Sequence, residues 1–415
     1  MRIENRRGIS STISAAIIII IVVVAGVGYY YYYTTTSVPP AKTKLTIGVV
    51  YDTGGKGDKS FNDMAYAGIL NANKTLGVNY IELGSTSAND YVPNIETLVA
   101  KHVNLVVAVG FLMDQAIASE AAKYPNVYFT QVDGDIYNMT NVVAVKFQEN
   151  VGSALVGALA VAMTKTDKIG FIGGMDIGLI HKFWHGYQFG AQWASTYLNK
   201  PVAVLPAAYT GTTPAAWNAP DIAKSEATAM FAQGADIIYA AAGASGTGLF
   251  DQTGALNQAT SWNWNVNTPP QYMAIGVDAD QDYYGTYQYF VQHNTNASQF
   301  KAPSFVLTSE MKRVDVAVFT VAKSVVNDNF SNFWNNPTQW GASYFNGQTQ
   351  ACGNTGDQPC HVRGVFVMGL AQHAVGPSQM TYTSQYMTPD AKRVLTQLTN
   401  GILNGTITVP ENYAP

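Results

Sequence analysis

From residue 45 onward, short apolar runs alternate with longer stretches of helical period: 45–51 and then a helix to Leu76, 79–83 and a helix from about 92, 104–109 and then 113–123. Apolar runs this short suit strands buried on both faces, and strand, helix, strand at this spacing predicts a parallel sheet with helices on either side. Strand-like runs at 127–132 and 142–145 come next. The helix from Val151 to Met163 carries small and apolar residues on most faces and begins a second unit. There, strands at 168–172, 201–205, 235–240 and 272–277 alternate with helices near 181–198, 219–233 and 247–257. The pattern therefore predicts an α/β protein of two doubly wound parallel-sheet lobes. A helix of roughly six turns, 311–330, and a long tail follow. No internal repeat of the solenoid kind is present.

The first 40 residues follow a different pattern. Arg2, Arg6 and Arg7 precede an apolar run from Ile13 to Gly28, five tyrosines (29–33) and a Thr/Pro linker. About 20 apolar residues span a bilayer, a length reached here with the tyrosines as an interfacial belt. The run reads as a transmembrane or pilin-like signal helix, cut near Gly8 to Ser11 or retained. Arginines on its amino-terminal side place the body outside the cell, anchored in the membrane by this helix. The other reading is a buried helix of the globular body.

Composition agrees with an exported globular protein. Of 415 residues, 47% are apolar, enough for sizeable cores, and 12% are charged, about half the usual share. A net charge of −4 argues against a nucleic-acid partner. A surface relying on uncharged polar groups responds little to pH, which fits an acidic habitat. Cys352 and Cys360 lie in a polar loop and read as a local disulfide, with a metal reading through His361 set against it. Sequons at Asn73, Asn138, Asn296, Asn329 and Asn404 are possible glycan sites.

The richest stretch of chemistry is the loop 52–62, Asp-Thr-Gly-Gly-Lys-Gly-Asp-Lys-Ser-Phe-Asn, between the first strand and the first helix. Backbone N–H groups and side chains converge at such a turn, beyond the carboxyl end of a strand. Gly54, Gly55 and Gly57 satisfy neither the dinucleotide nor the P-loop spacing. The loop instead resembles the opening signature of the basic membrane protein family, nucleoside-binding components of ABC importers. Further matches run in the family's order: Gly110-Phe111, Phe147-x-Glu149, Gly173-Gly174-Met175-Asp176, Ala242-Gly243-Ala244-Ser245-Gly246, Ile275-Gly276-Val277-Asp278 and Leu307-Thr308-Ser309 with Lys312. Together they cover roughly 45–326.

The resemblance implies a type I periplasmic-binding-protein fold that closes on its ligand about a hinge. Its organisation would be an anchor (1–33), a linker (34–43), lobe 1 (44–146 with about 307–335) and lobe 2 (147–306 with about 336–415). It also implies a site: Phe61 and Phe183 stacking on a base, Asn62 and Asp133 at the base edge, and Asp278 and Lys312 on the ribose. Asp52 and Gly243 complete the ribose end, and Gly110 belongs to the same ligand-binding set. Asp52, Asp133 and Asp278 each follow a predicted strand, where an open sheet presents its ligand groups. Several residues stay open to plainer roles: Phe61 as a helix staple, Asp52 as a turn cap, Lys312 as a solvated helix lysine, and Trp184 rather than Phe183 as the stacking ring.

No hydrolase elbow, zincin motif or nucleophile pair marks an enzyme. His181 and His185 share a helical face without an evident third ligand, and Asp278, Asp280 and Asp282 lack the glycine and closing glutamate of a calcium loop. The residues thus mark no metal or cofactor site, and the resemblance implies a binding protein that captures a nucleoside, purine for preference, and hands it to an ABC permease. A sugar or other small solute is the alternative cargo, and a membrane-anchored sensor the alternative role.

Overall fold

The computed structural model describes residues 44–136, 139–260, 262, 268–286, 303–335 and 364–413, with residues 23 and 25–27 of the amino-terminal unit, which are helical and exposed. The rest of the expected anchor, the cysteine pair and the sequons at Asn138 and Asn296 lie outside the described residues. No helix among the described residues is long and apolar enough to cross a membrane.

The first sheet gathers β1 (Thr46–Tyr51), β2 (Asn79–Leu83), β3 (Leu105–Val109), β4 (Tyr128–Val132) and β5 (Val142–Phe147), in the order β5-β4-β3-β1-β2 and all parallel. Helices α1 (Phe61–Leu76), α2 (Tyr91–Ala100) and α3 (Asp114–Lys123) supply the crossovers. Every residue of β3 is buried, as its unbroken Leu-Val-Val-Ala-Val run requires of a strand covered on both faces. β2, at the edge, is only partly covered.

After α4 (Glu149–Met163) the second sheet forms from β6 (Lys168–Met175), β7 (Ala203–Val204), β8 (Ala208–Gly211), β9 (Ile237–Ala241), β10 (Met273–Asp278) and β11 (Val306–Lys312). Its helices are α5 (Gly178–Leu198), α6 (Pro220–Ala232) and α7 (Thr247–Ala259). Of the strand expected at 201–205 only β7 (Ala203–Val204) pairs with β6; β8 pairs with β6 beyond Pro206, which has no N–H for a ladder. Of α4 only Ala162 escapes full burial, which accounts for its apolar residues on every face. It packs against α5 backbone to backbone: a Cβ on Gly190 would stand 1.9 Å from the Ala154 carbonyl oxygen.

Two sequence expectations are corrected. Lys312 does not lie on a helix beginning at 311; it ends β11, and α8 runs only from Val314 to Val326. The cause is remote in sequence: β13 (Val375–Pro377) pairs antiparallel with Glu310–Lys312, and Arg313 N–H donates to the Ala374 carbonyl. Nor does the tail rejoin the second lobe directly. β12 (Val365–Met368) adds to the first sheet beside β5, and only then does the chain return to β13 and α9 (Pro389–Leu403), which packs on α4. The chain thus passes between the sheets near 147–149, 312–314 and 368–375.

Candidate functional site

In each sheet the chain leaves its first strand toward one edge and returns on the other side, so switch points fall between β1 and β3 and between β6 and β9. Ligands of open α/β sheets bind outside the carboxyl ends of strands at such points. The two ends face one cleft, with about 590 Å³ of empty space including its open mouth. Its lining contains every candidate from the sequence: Asp52, Phe61, Asn62, Gly110, Asp133, Phe183, Gly243, Asp278 and Lys312.

The loop 52–62 is held in shape by Asp58. Its carboxylate accepts from the backbone N–H groups of Ser60 (2.9 Å), Asn62 (2.9 Å) and Asp63 (3.1 Å) and from Asn62 Nδ2 (3.0 Å). Asp63 in turn accepts from the N–H groups of Gly57 and Lys59. These bonds satisfy the orphan donors at the start of α1 and set Phe61 and Asn62 at the cleft. Asp52 is a turn residue as well as a lining one: its Oδ1 accepts from Gly54 N–H (2.9 Å) and Asn62 Nδ2 (3.1 Å). Gly110 has φ +116°, and a Cβ there would come within 2.9 Å of Asp52 Oδ2, so glycine fits this position on both counts.

Asp133 and Asp278 stand at equivalent places, each just after or at the end of its lobe's fourth main strand, β4 or β10. Both have left-handed backbones, φ 62° and 63°, a conformation more accessible to aspartate than to most residues. Lys312 lies between the lobes. Its Nζ donates to Asp133 Oδ2 at 2.7 Å, stands 3.1 Å from Glu149 Oε1, and lies 5.2, 5.2 and 5.6 Å from the ring centres of Phe61, Phe147 and Phe183. At 1% exposure it is no solvated surface lysine. The neighbouring Arg313 pairs with Asp315 instead. The structure thus pairs Asn62 with Asp52 and Asp133 with Lys312, across the division into base and ribose ends that the resemblance implied.

The electrostatics follow from burying several carboxyls around one ammonium. Burial opposes the charge on Lys312, but Asp133, Glu149 and Asp278 outweigh it and raise its pKa. Burial pushes Asp278 up to about 7, against the pull of Lys312 and a 2.5 Å hydrogen bond from Ser60 Oγ. Burial likewise lifts Asp52 to about 6.

Phe183 is the ring that faces the cleft, whereas Trp184 packs on Phe171 with ring centres 5.2 Å apart. Phe61 lines the cleft and also packs against the main core, so stapling and lining coexist in one side chain. The histidine pair is occupied: His181 Nε2 is 2.7 Å from Asp176, and His185 Nδ1 is 2.9 Å from the Glu411 carbonyl oxygen. Asp282 accepts from Ser309 and Ser378 hydroxyls. Among the described residues no cluster of three or more metal-ligating side chains occurs.

Residues that sequence reasoning missed include Trp217, Phe111 and Asp58 in the lining and Glu310 beneath it. Trp217 comes from a short turn after β8, remote in sequence from the other lining residues, and Glu310 is hidden in a strand. Glu310 is 0% exposed, both its carboxyl oxygens lack partners, and burial together with nearby Asp278 raises its pKa well above the usual range.

Comparison with known proteins agrees with this architecture. The family model described as "ABC transporter substrate-binding protein PnrA-like" matches residues 44–342. An uncharacterized lipoprotein of Pyrococcus abyssi is 34% identical over 68% of this chain; the match spans 64% of that relative's length. The "ABC transporter nucleoside-binding protein BmpA" of Lactococcus lactis is 32% identical over 70% of this chain and 77% of its own. A solute-binding protein of an ABC transporter system from Aeropyrum pernix superposes with a TM-score of 0.67 at 23% identity, covering 89% of this chain and 94% of that one. One from Conexibacter woesei gives 0.60 at 16% identity, over 88% and 99%. With the fold, the cleft and these matches in agreement, the chain belongs to the Bmp family of PnrA-like ABC transporter substrate-binding proteins.

Proposed function

We propose that this protein captures a nucleoside, purine for preference, between its lobes and delivers it to an ABC permease, its body held outside the cell by the amino-terminal segment. The observation that carries this reading is the pairing of two aromatic side chains, Phe61 from the first lobe and Phe183 from the second, on one cleft lined with hydrogen-bonding groups. A base is a flat, weakly polar slab that gains from aromatic faces, while its edge and its sugar need polar partners. Asn62 and Asp52 form one polar cluster; Asp133, Lys312 and Asp278 form the other. In this proposal the first takes the base edge and the second, more strongly charged, takes the sugar hydroxyls. The name of the Lactococcus relative supports a nucleoside, and that of the Pyrococcus relative, a lipoprotein, supports attachment to a membrane.

A thermal-shift screen of the purified full-length chain against nucleosides, free bases, sugars and amino acids, followed by calorimetry, tests it. A rise in melting temperature with inosine, guanosine or adenosine and none with sugars is expected. A rise with sugars alone overturns the cargo and leaves the importer role standing.

A further inference from the structure

Trp217 reaches the cleft from the second lobe, on the short 3₁₀ turn Pro214–Asn218 between β8 and α6. Its benzo ring lies on the backbone of that lobe: a Cβ on Gly174 would stand 2.3 Å from Cζ3, and one on Gly243 would stand 3.8 Å from Cε3. Its Cβ approaches the first lobe. At Gly54, a Cβ would lie 3.9 Å from Trp217 Cβ, 3.2 Å from Asn62 Nδ2 and 3.1 Å from Asp52 Oδ1. Trp217 therefore lies beside Gly54, at the Asn62–Asp52 cluster. Its indole N–H is buried and has no hydrogen-bond partner in the protein. Asn62 Oδ1, in the same cluster, is likewise buried without one, because Asn62 donates its amide N–H groups to Asp52 and Asp58.

A buried indole N–H without an acceptor is costly, since tryptophan donates but cannot accept and cannot turn the group away without moving the whole ring. The lining of the cleft thus offers a free donor on Trp217 and, in the Asn62–Asp52 cluster, a free acceptor, which suits a ligand edge carrying the complementary acceptor and donor. We infer that Trp217 is a specificity-determining residue: its Nε1–H donates to an acceptor on the base edge of the bound nucleoside, beside a ligand N–H that donates to Asn62 Oδ1. The inference rests on the nucleoside reading above. It makes base recognition a joint act of both lobes, because the donor belongs to the second lobe and the acceptor to the first.

The test compares wild type with Trp217→Phe, which keeps a ring and loses the donor, by calorimetry on the full-length chain. The probes are the tightest purine nucleoside, its 2′-deoxy and 5′-deoxy derivatives, and free ribose. The variant is expected to melt near wild type and to bind the nucleoside roughly ten-fold more weakly, the loss expected when a buried polar contact goes unpaired. It loses the same factor for both deoxy derivatives, since the contact is to the base. Equal affinities of variant and wild type for the nucleoside overturn the inference and leave the nucleoside reading intact. A loss that vanishes for one deoxy derivative moves the contact to the sugar and overturns the base-edge assignment. If wild type binds ribose but no nucleoside, the nucleoside reading falls, and the base-edge contact with it.

Discussion

Ser60 Oγ, at the start of α1, donates to Asp278 Oδ2, at the end of β10, across 2.5 Å. The two residues belong to different lobes, and 218 positions separate them in sequence. Gln281 Nε2 adds a parallel link to the Lys59 carbonyl at 3.0 Å. The lobes are therefore bridged at the residue that the sugar would meet. Ser60→Ala removes a hydrogen bond that favours the ionised form, so Asp278 should titrate above its present value of about 7. Carboxyl carbon NMR across pH 5–9 reads this directly. An unchanged titration would mean that the hydroxyl does not govern the charge of Asp278.

The acids of the cleft also set how stability depends on pH. Asp278 and Asp52 move from 3.8 to about 7 and about 6, and burial raises Glu310 as well. A carboxyl whose pKa is raised on folding gives its full stabilising effect below the unfolded value, and that effect is lost as pH rises through the folded value. The ligand-free protein should lose stability between about pH 4 and pH 7, each tenfold difference in a carboxyl's proton affinity between folded and unfolded chain being worth about 1.4 kcal/mol. Urea unfolding at pH 4.5 and pH 8 measures this; greater stability at pH 8 contradicts it.

Glu310 isolates one contributor. Both its oxygens are buried without partners, and a Cβ on Gly152 would fall 1.9 Å from Oε1, so the acid fills its space tightly. Glu310→Met keeps the volume and removes the unpaired polar group. It should stabilise the ligand-free protein at pH 8 by roughly 1–3 kcal/mol and flatten its pH dependence. A less stable variant with unchanged pH slope would show that the acid has a partner this geometry does not reveal.

Much of this is legible in the sequence, for reasons that also mark where legibility ends. The strands β1, β3 and β10 are largely apolar runs, and β4 is one interrupted by Thr130 and Gln131; each leads into Asp or Gly, and that local pattern locates Asp52, Gly110, Asp133 and Asp278 at strand ends. Phe61 and Asn62 come from the loop that Asp58 holds together. Lys312 lines the cleft as expected, but from a different element. Its backbone is captured by β13, some 60 residues later, and no local periodicity reports that pairing. The return of Val365–Met368 to the first sheet is hidden for the same reason. Trp217 carries no local signal, being one aromatic residue in a turn; only Gly54, Gly174 and Gly243, brought together by the fold, show what it approaches.

If Phe61 stacks on the base and Asp278 meets the sugar, as proposed, removing either side chain should weaken binding more than it disturbs folding. Phe61 is only partly buried, and Asp278 is a burial cost in the empty protein. Phe61→Ala and Asp278→Ala should each cost at least roughly 2 kcal/mol of nucleoside affinity by calorimetry. Wild-type affinity in both variants would discard the site assignment and leave the fold untouched.

Lys312 should behave in the opposite way, as a residue on which the folded state itself depends. Its ammonium is enclosed by Asp133 and Glu149 within 3.1 Å, with Asp278 close enough to act on it, so Lys312→Met leaves buried carboxylates with no cation. Breaking a buried pair from one side costs about 3–5 kcal/mol, because the stranded charge keeps its desolvation penalty. The stranded acids have one escape, which is to take up protons. The cost should therefore be largest at pH 8 and shrink at pH 4.5, where protonation is cheap, and adding Asp133→Asn and Glu149→Gln to Lys312→Met should recover most of the loss at pH 8. Urea unfolding of the single and triple variants at both pH values decides the matter. A single variant equally destabilised at both, with no recovery in the triple, would assign the effect to lost packing of the lysine stem against Phe61, Phe147 and Phe183 rather than to charge.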